Sequence, residues 1–137
     1  MSDSYQRPLP ILTDENRHFW QGGRDGHLLL LRCRDCRYWV HTPQPRCTNC
    51  LSEALTSEPV SGKAEVETFT INIKPWGKGM KVPYVIAVVA LPEQPGLRVT
   101  TNIVDIDPEA VYIGMAVEVR FEQDEDVWLP MFAPVAN

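Results

Sequence analysis

All the cysteines of this chain lie between residues 33 and 50, and their spacing is typical of a metal site. Cys33 and Cys36 form one Cys-x-x-Cys pair, and Cys47 and Cys50 form another. A turn with two intervening residues points both sulfurs toward one ion, and a second such turn completes four-coordination. Because four thiolates leave no position open for water, the spacing predicts a structural site rather than a catalytic one.

The identity of the bound species follows from the chemistry of sulfur. Tetrahedral thiolate ligation suits zinc or iron, which the spacing does not separate, and zinc is our prediction. Two disulfides are the alternative, and they would require an oxidising compartment. The residues after Met1 lack the charged and then apolar pattern of a leader, so we expect a cytoplasmic protein with reduced thiols. His41 lies between the pairs and is interpreted as an ordinary loop residue.

The remaining residues do not form a recognisable catalytic motif. The sequence contains no serine nucleophile elbow and no glycine-rich phosphate loop, and its cysteines are assigned to the metal. His18 shows no recognisable pairing with an acid or a nucleophile in the nearby sequence. Asp105, Asp107 and Glu109 are explained by helix capping and solvation. We therefore predict no catalytic residues and no enzymatic activity of the chain on its own.

The composition is that of a globular protein with an acidic second half. The chain is 44% hydrophobic and carries a formal charge of -5. Residues 51–137 contain thirteen acidic side chains against six basic ones, which argues against nucleic acid as a partner. The longest apolar run, residues 85–91, is too short to cross a bilayer, so we expect a soluble protein without a membrane partner.

Residues 1–25 are predicted to form an arm and a short helix. The arm contains Pro8 and Pro10, should be extended, and is expected to lie against a partner. Thr13 is placed to cap a helix whose first turn holds two acidic residues. We expect Gly22 and Gly23 to end that helix in the left-handed conformation.

Residues 26–60 are predicted to form a zinc ribbon. One strand should run over residues 26–32 and deliver Cys33 to the metal, and a return strand should cover 38–40. Residues 51–61 are polar and are interpreted as a connector, with the boundary near Val60. So few residues cannot build a stable core alone, which is why the metal is needed.

Residues 61–137 are predicted to form a five-stranded barrel. The first strand, 62–73, switches its apolar parity and should be long and bent with a bulge. The second, 82–91, is almost continuously apolar, which favours a central strand buried on both faces. Three further strands are predicted at 97–104, 115–121 and 128–132. A helical turn from Asp107 to Val111 precedes the second of these, and an acidic hairpin turn at 122–126 joins it to the third. Pro130 favours an edge position for the strand at 128–132. The order is typical of an OB-fold.

Taken together, the chain resembles a family of OB-fold, acyl-CoA-associated proteins catalogued as domain of unknown function thirty-five. The motifs that carry the resemblance span nearly the whole chain and occur in the family's order. They are residues 16–20, 31–36, 47–50, Pro83-Tyr84-Val85, Ile113-Gly114-Met115 and 129–134. The chain departs from the family after Leu91, where residues 92–96 replace a turn made of an acidic residue and a glycine.

The resemblance implies a fold and a role. The implied fold is mainly β, with a short N-terminal helix and a rubredoxin-like zinc ribbon followed by a five-stranded OB-fold barrel. The implied role is a non-catalytic companion of a thiolase-superfamily enzyme subunit, in a hetero-oligomer that processes acyl-CoA by condensation, acyl transfer or retro-aldol cleavage.

One loop is a candidate for direct contact with a ligand or a partner. Between the first two barrel strands stand Lys74, Trp76, Lys78 and Lys81, in a half that is otherwise acidic. OB-folds commonly bind through this loop. Lysines can meet the phosphates of a coenzyme A thioester, and an indole can stack on its adenine. Tryptophan is also favoured at protein interfaces, so contact with a partner protein is the stronger expectation.

Two alternative functions remain at this stage. A zinc ribbon followed by an OB-fold could bind single-stranded nucleic acid, against which the acidity of the barrel speaks. The chain could also be a free-standing acyl-CoA-binding module, which would bind coenzyme A without a partner.

Overall fold

The computed structural model describes residues 6–135 and confirms the predicted fold class. One short helix, three ribbon strands and five barrel strands follow one another along the chain. They are α1 (Arg17–Gln21), β1 (Leu29–Cys33), β2 (Trp39–Val40), β3 (Leu55–Pro59), β4 (Lys63–Asn72), β5 (Tyr84–Ala90), β6 (Arg98–Ile103), β7 (Ala116–Asp124) and β8 (Val127–Pro134). Two 3-10 turns, Gly22–Asp25 and Pro108–Ala110, complete the list. No described helix is long and apolar enough to span a membrane.

The helix covers Arg17–Gln21, so it ends just before Gly22 as predicted, but its first turn holds no acidic residue. Thr13 Oγ1 accepts a hydrogen bond from the Asn16 N–H at 3.2 Å, and Asn16 Oδ1 accepts one from the Thr13 N–H at 2.8 Å. The prediction of a left-handed end at Gly22 is wrong, because Gly22 has φ of -62° and leads into a 3-10 turn. The left-handed residue is Gly26, with φ of 80°. Gly22 is needed for close packing instead, since a Cβ there would lie 2.5 Å from the His27 carbonyl oxygen.

The described part of the N-terminal arm packs on the chain's own barrel. Leu9 and Leu12 contact a buried cluster formed by outward side chains of β8, which are Val127, Leu129 and Met131. Arg7 lies 3.4 Å from Glu122 and 3.8 Å from Asp124 on the neighbouring strand. The contact of residues 1–12 with a partner stays a prediction, and residues 1–5 fall outside the described range.

The ribbon is a three-stranded antiparallel sheet in the order β2-β1-β3. Strand β3 pairs with β1 along its whole length, from Leu29 opposite Pro59 to Cys33 opposite Leu55. The interpretation of residues 51–61 as a connector is therefore wrong for 55–59. The strand was missed because Thr56, Ser57 and Glu58 lack an apolar alternation, and only Leu55 packs against the buried cluster around the cysteines.

The barrel is closed, with strand order β4-β5-β6-β8-β7. The register of β4 against β5 shifts between Val66 and Thr68, which confirms the predicted bulge. The prediction of two-sided burial for β5 is wrong. Val85, Ala87 and Val89 are buried inside the barrel, whereas Ile86 points outward and is 37% exposed. A small barrel has a single interior, so β-branched residues on its outside remain accessible.

The last strand, β8, lies inside the sheet and not at an edge as predicted. Strand β8 lies between β6 and β7, so the prediction that Pro130 marks an edge is wrong. Pro130 is tolerated because β6 and β8 share only the pairing of Ile103 with Phe132, and the Thr101 hydroxyl donates to the Pro130 carbonyl at 2.9 Å. The predicted cap at Asp107 is confirmed, since its carboxylate accepts from the Glu109 N–H at 3.0 Å.

One hydrophobic cluster joins the helix and ribbon to the barrel. Phe19 of the helix and Leu28, Leu30 and Trp39 of the ribbon belong to the same buried cluster as the inward barrel residues. Burying these side chains together ties the ribbon to one side of the barrel. The metal-binding stretch is thereby held at a fixed place on the barrel surface.

Candidate metal centre and partner-binding loop

The four cysteines come together at one end of the ribbon sheet. Cys33 is the last residue of β1, Cys36 follows in the turn, and Cys47 and Cys50 bracket the second turn. All four Sγ atoms lie within 4.8 Å of one another. Cys33 and Cys47 are buried, whereas Cys36 and Cys50 are exposed. The site therefore lies at the surface, with two ligands on the core side and two on the solvent side.

The two turns have the same backbone geometry. In the first, the Arg37 N–H donates to the Cys33 carbonyl at 3.0 Å, and in the second, the Leu51 N–H donates to the Cys47 carbonyl at 2.9 Å. The residue after each pair is left-handed, with φ of 66° at Arg37 and 68° at Leu51. This repeated conformation aims the two pairs of sulfurs at each other.

The sulfur geometry fits one tetrahedral ion. Cys33 Sγ lies 3.6 Å from Cys50 Sγ, and Cys36 Sγ lies 3.6 Å from Cys47 Sγ. A zinc–sulfur distance of about 2.3 Å places two ligands of a tetrahedron about 3.8 Å apart, which is close to these values. A disulfide requires about 2.05 Å, so these sulfurs are free thiols.

Hydrogen bonds favour the thiolate form at Cys36, whereas burial and the neighbouring sulfurs raise the pKa of Cys50 to about 12. The N–H groups of Cys36 and Cys50 donate to Cys33 Sγ and Cys47 Sγ, both at 3.4 Å, and the Asn49 side chain donates to Cys36 Sγ at 3.5 Å. The Asn49 hydrogen bond, together with a backbone N–H, lowers the pKa of Cys36 to about 6. Such donors stabilise negative sulfur, as a cation-binding cluster requires.

The predicted loop is exposed, and it presents its tryptophan in a defined orientation. Trp76 is 69% exposed, and its Nε1 donates to Asn72 Oδ1 at 2.9 Å. The Lys74 ammonium stands 4.8 Å from the centre of the indole ring. Lys78 and Lys81 are exposed on the same loop, and within residues 6–135 they form no ion pair. The loop is distant in sequence from the cysteines and forms a separate candidate site.

Sequence reasoning missed a turn that connects the two units. In the turn between β5 and β6, Glu93 accepts a hydrogen bond from the Ser61 N–H at 2.7 Å, and Gln94 contacts the backbone of Trp39. Residues 92–96 depart from the family pattern, but no local pattern in them predicts these contacts. The effect of the turn is to hold the ribbon against the barrel.

Two family profiles match consecutive parts of the chain. The profile described as "ChsH2, rubredoxin-like zinc ribbon domain" matches residues 20–56. The profile described as "ChsH2, C-terminal OB-fold domain" matches residues 57–122. The division between them lies within β3, which completes the ribbon sheet in the structure.

Individual relatives support the same assignment. A "DUF35 domain-containing scaffold protein" of Methanocaldococcus jannaschii is 35% identical over 107 residues, which are 76% of this chain and 74% of the relative. A "Probable enoyl-CoA hydratase alpha subunit" of Thermomonospora curvata is 32% identical over 129 residues, or 93% of this chain. The chain spans only 40% of the length of that second relative.

A solved structure described as "Ltp2-ChsH2(DUF35) aldolase" has the same fold. It superposes with a TM-score of 0.84 at 29% sequence identity and covers 93% of this chain and 100% of that one. The ribbon and the barrel therefore occur together in that structure in the same arrangement. This chain belongs to the ChsH2/DUF35 family, in which a rubredoxin-like zinc ribbon precedes an OB-fold domain.

Proposed function

We propose that this chain is a non-catalytic scaffold subunit of a complex that processes acyl-CoA. The observation that carries the proposal is the match of both modules, ribbon and barrel together, to the family whose members are described as scaffold proteins or as subunits of CoA-dependent enzymes. A hydratase alpha subunit and an aldolase complex are among these relatives. We infer that the partner here is a subunit of the thiolase superfamily and that the assembly is a hetero-oligomer in the cytoplasm.

The metal in this proposal has a structural role. Cys33, Cys36, Cys47 and Cys50 are assigned as the ligands of one zinc ion, because all four sulfurs lie within 4.8 Å of one another and two pairs are 3.6 Å apart, close to the spacing in a tetrahedral site. Zinc bound to four thiolates has no free coordination position and supplies folding energy to the small ribbon. The proposed units are 1–25 for the arm and helix, 26–60 for the ribbon and 61–137 for the barrel.

The loop that carries Trp76 is proposed to contact the partner or the coenzyme A part of its substrate. Three lysines and no acidic residue lie between 73 and 83, in a chain with a formal charge of -5. A cluster of this sign attracts carboxylates or phosphates. The exposed indole supplies an apolar surface next to these charges.

The test is to produce the chain together with candidate enzyme subunits of the thiolase superfamily. The expected result is a complex of fixed stoichiometry in size-exclusion chromatography with light scattering, and thioester turnover by the complex that the isolated chain lacks. A partner-free monomer that turns over a thioester would contradict the proposal.

A free-standing acyl-CoA-binding module is the second candidate, favoured by the exposed indole of Trp76 beside three lysines. Isothermal titration calorimetry of the isolated chain with coenzyme A separates the two proposals. Micromolar binding without any partner would support the module, whereas binding that appears only in the complex supports the scaffold.

A further inference from the structure

The outside of the barrel differs sharply between its two halves. On β7 and β8, the arm and the helix cover the outward apolar residues of β8, and the outward residues of β7 are charged, as Glu118, Arg120 and Glu122 illustrate. The outer side of β4, β5 and β6 consists of half-buried or exposed side chains. This second half is therefore the one with surface available to another molecule.

The second half carries a patch without any charged residue. The strand register places eight side chains on the outside of the three strands, in neighbouring rows. We name them the uncharged face: Thr68, Thr70, Asn72, Tyr84, Ile86, Val88, Thr100 and Asn102. Charged residues make up 23% of the chain, but none of these eight adjacent outward positions is charged. Depletion of charge at the centre with aromatic residues present is the composition of protein interfaces.

The face is continuous with the exposed tryptophan of the neighbouring loop. Asn72 belongs to the face, accepts the hydrogen bond from Trp76 Nε1 and donates to the Lys74 carbonyl at 2.8 Å. Ile73, the next residue, is 77% exposed. A fixed aromatic side chain next to exposed aliphatic ones is the usual anchor of a binding surface, because little side-chain entropy is lost on contact.

The charges at the two ends of the face indicate the chemistry of the partner. At one end, Arg98 and Glu67 form an ion pair with Nε and Oε2 2.6 Å apart, which neutralises both. At the other end, Lys74, Lys78 and Lys81 are exposed and are accompanied by no acid between residues 73 and 83. A complementary surface is therefore uncharged over the strands and acidic opposite the loop.

We propose that the uncharged face and the Trp76 loop together dock the enzyme subunit of the complex, through an uncharged surface of that subunit bordered by carboxylates. This inference rests on the proposed function and adds which side of the barrel is used. Nucleic acid does not fit, because the strands lack lysine and arginine where a phosphate backbone would cross them. A bilayer does not fit either, since threonine and asparagine make up most of the face.

The experiment measures the affinity of the chain for the thiolase-superfamily subunit with which it forms the complex. Ile86→Lys and Thr100→Lys place a charge at the centre of the face, and Ile11→Lys makes the same change at an 84% exposed isoleucine on the arm. We expect the two face variants to bind about tenfold more weakly or worse, and Ile11→Lys to bind within about twofold of the unchanged chain. Zinc content and melting temperature establish that each variant is folded.

The outcomes are distinguishable. If the unchanged chain forms the complex and both face variants bind as well as it does, the complex exists and the proposed side of the barrel is wrong. If the unchanged chain forms no complex, the proposed function and this inference both fail. If the chain alone is a dimer that Ile86→Lys dissociates, the face is a contact between two copies, which overturns the inference as well.

Discussion

The side chain of Gln94 forms two hydrogen bonds with the backbone of Trp39. The Trp39 N–H donates to Gln94 Oε1 at 2.8 Å, and Gln94 Nε2 donates to the Trp39 carbonyl at 3.1 Å. The amide thus takes the place of a neighbouring strand at the outer edge of β2. Trp39 is 5% exposed and belongs to the cluster shared by ribbon and barrel, so these bonds close the edge of the ribbon sheet against the barrel.

Replacing Gln94 should therefore loosen this junction. In Gln94→Ala both bonds are lost and a half-buried backbone N–H and carbonyl remain without partners, which costs about 1–3 kcal/mol of unfolding free energy. Urea denaturation followed by tryptophan fluorescence measures the loss. Gln123→Ala is the matched control, because Gln123 is exposed and donates only to the Glu125 carbonyl. Equal stability of the two variants would show that the junction does not depend on Gln94.

The zinc site gives the largest expected effect on stability. Cys47→Ser removes a buried sulfur from the set of four and leaves three ligands. We expect stoichiometric zinc to be lost and the melting temperature to fall by roughly 6–20 degrees, as about 2–4 kcal/mol of unfolding free energy would produce in a domain of this size. Metal analysis and calorimetry provide the two measurements. Thr48→Ser, in the same turn, should leave both unchanged. Full zinc content in Cys47→Ser would contradict the structural role.

The left-handed conformation at Leu51 predicts a substitution that raises the stability of the chain. Leu51 has φ of 68° and is 67% exposed, so its side chain contributes little packing and imposes backbone strain. Leu51→Gly relieves about 1–2 kcal/mol of strain and increases the entropy of the unfolded chain, for a net gain of about 0.5 kcal/mol. Denaturation of the zinc-loaded proteins should show a small rise in midpoint. A clear drop would mean that Leu51 has contacts that stabilise the folded chain.

The sequence was sufficient for the parts of the fold that have a local signature. The cysteine spacing, the bulge in β4 and the cap at Asp107 each depend on a few adjacent residues. The acidic hairpin turn predicted at 122–126 is only partly right, because β7 extends to Asp124 and the turn is Glu125–Asp126. The parts that were predicted wrongly depend on distant residues. Strand β3 has too few apolar residues to be recognised without its partner β1, and Pro130 is accommodated by a gap between two strands that are far apart in sequence. Burial of β5 on one face only follows from closure of the barrel.

The candidate sites show the same difference. The four sulfurs were predictable as a set because two short turns define them. The contact of Gln94 with Trp39 was not, since a glutamine in a turn has many possible partners and the choice depends on how ribbon and barrel pack. The uncharged face likewise appears only after the register of three strands brings together residues from different segments.

Acid should destabilise the chain through His41. Burial, and secondarily the charge of His18, lowers the pKa of His41 from its usual 6.5 to about 4, and the ring lies 4.9 Å from that of Phe19. The unfolded chain then binds more protons than the folded one between these values. Stability is therefore lost as pH falls from about 6.5 toward 4, by at most roughly 3 kcal/mol from this residue.

Comparison with His41→Phe isolates this contribution from the protonation of the thiolates. Phenylalanine retains the ring beside Phe19 and cannot be protonated, so the variant should lose less unfolding free energy than the unchanged chain between pH 6.5 and pH 5. Both proteins should retain zinc in this range, which metal analysis can verify. Parallel pH profiles would show that His41 is not the residue responsible.

The last prediction concerns the lysines of the exposed loop. Lys78→Glu reverses a charge on the side proposed to face carboxylates or phosphates, whereas Lys63→Glu makes the same change at the exposed start of β4. We expect Lys78→Glu to weaken assembly with the enzyme subunit about fivefold to tenfold at low salt, and the difference from Lys63→Glu to shrink as ionic strength rises. Surface plasmon resonance at two salt concentrations measures both effects. A surface lysine contributes little to folding, so Lys78→Glu should not change the stability of the ribbon or the barrel. If Lys78→Glu associates as tightly as the unchanged chain, the proposal that this loop belongs to the interface is wrong.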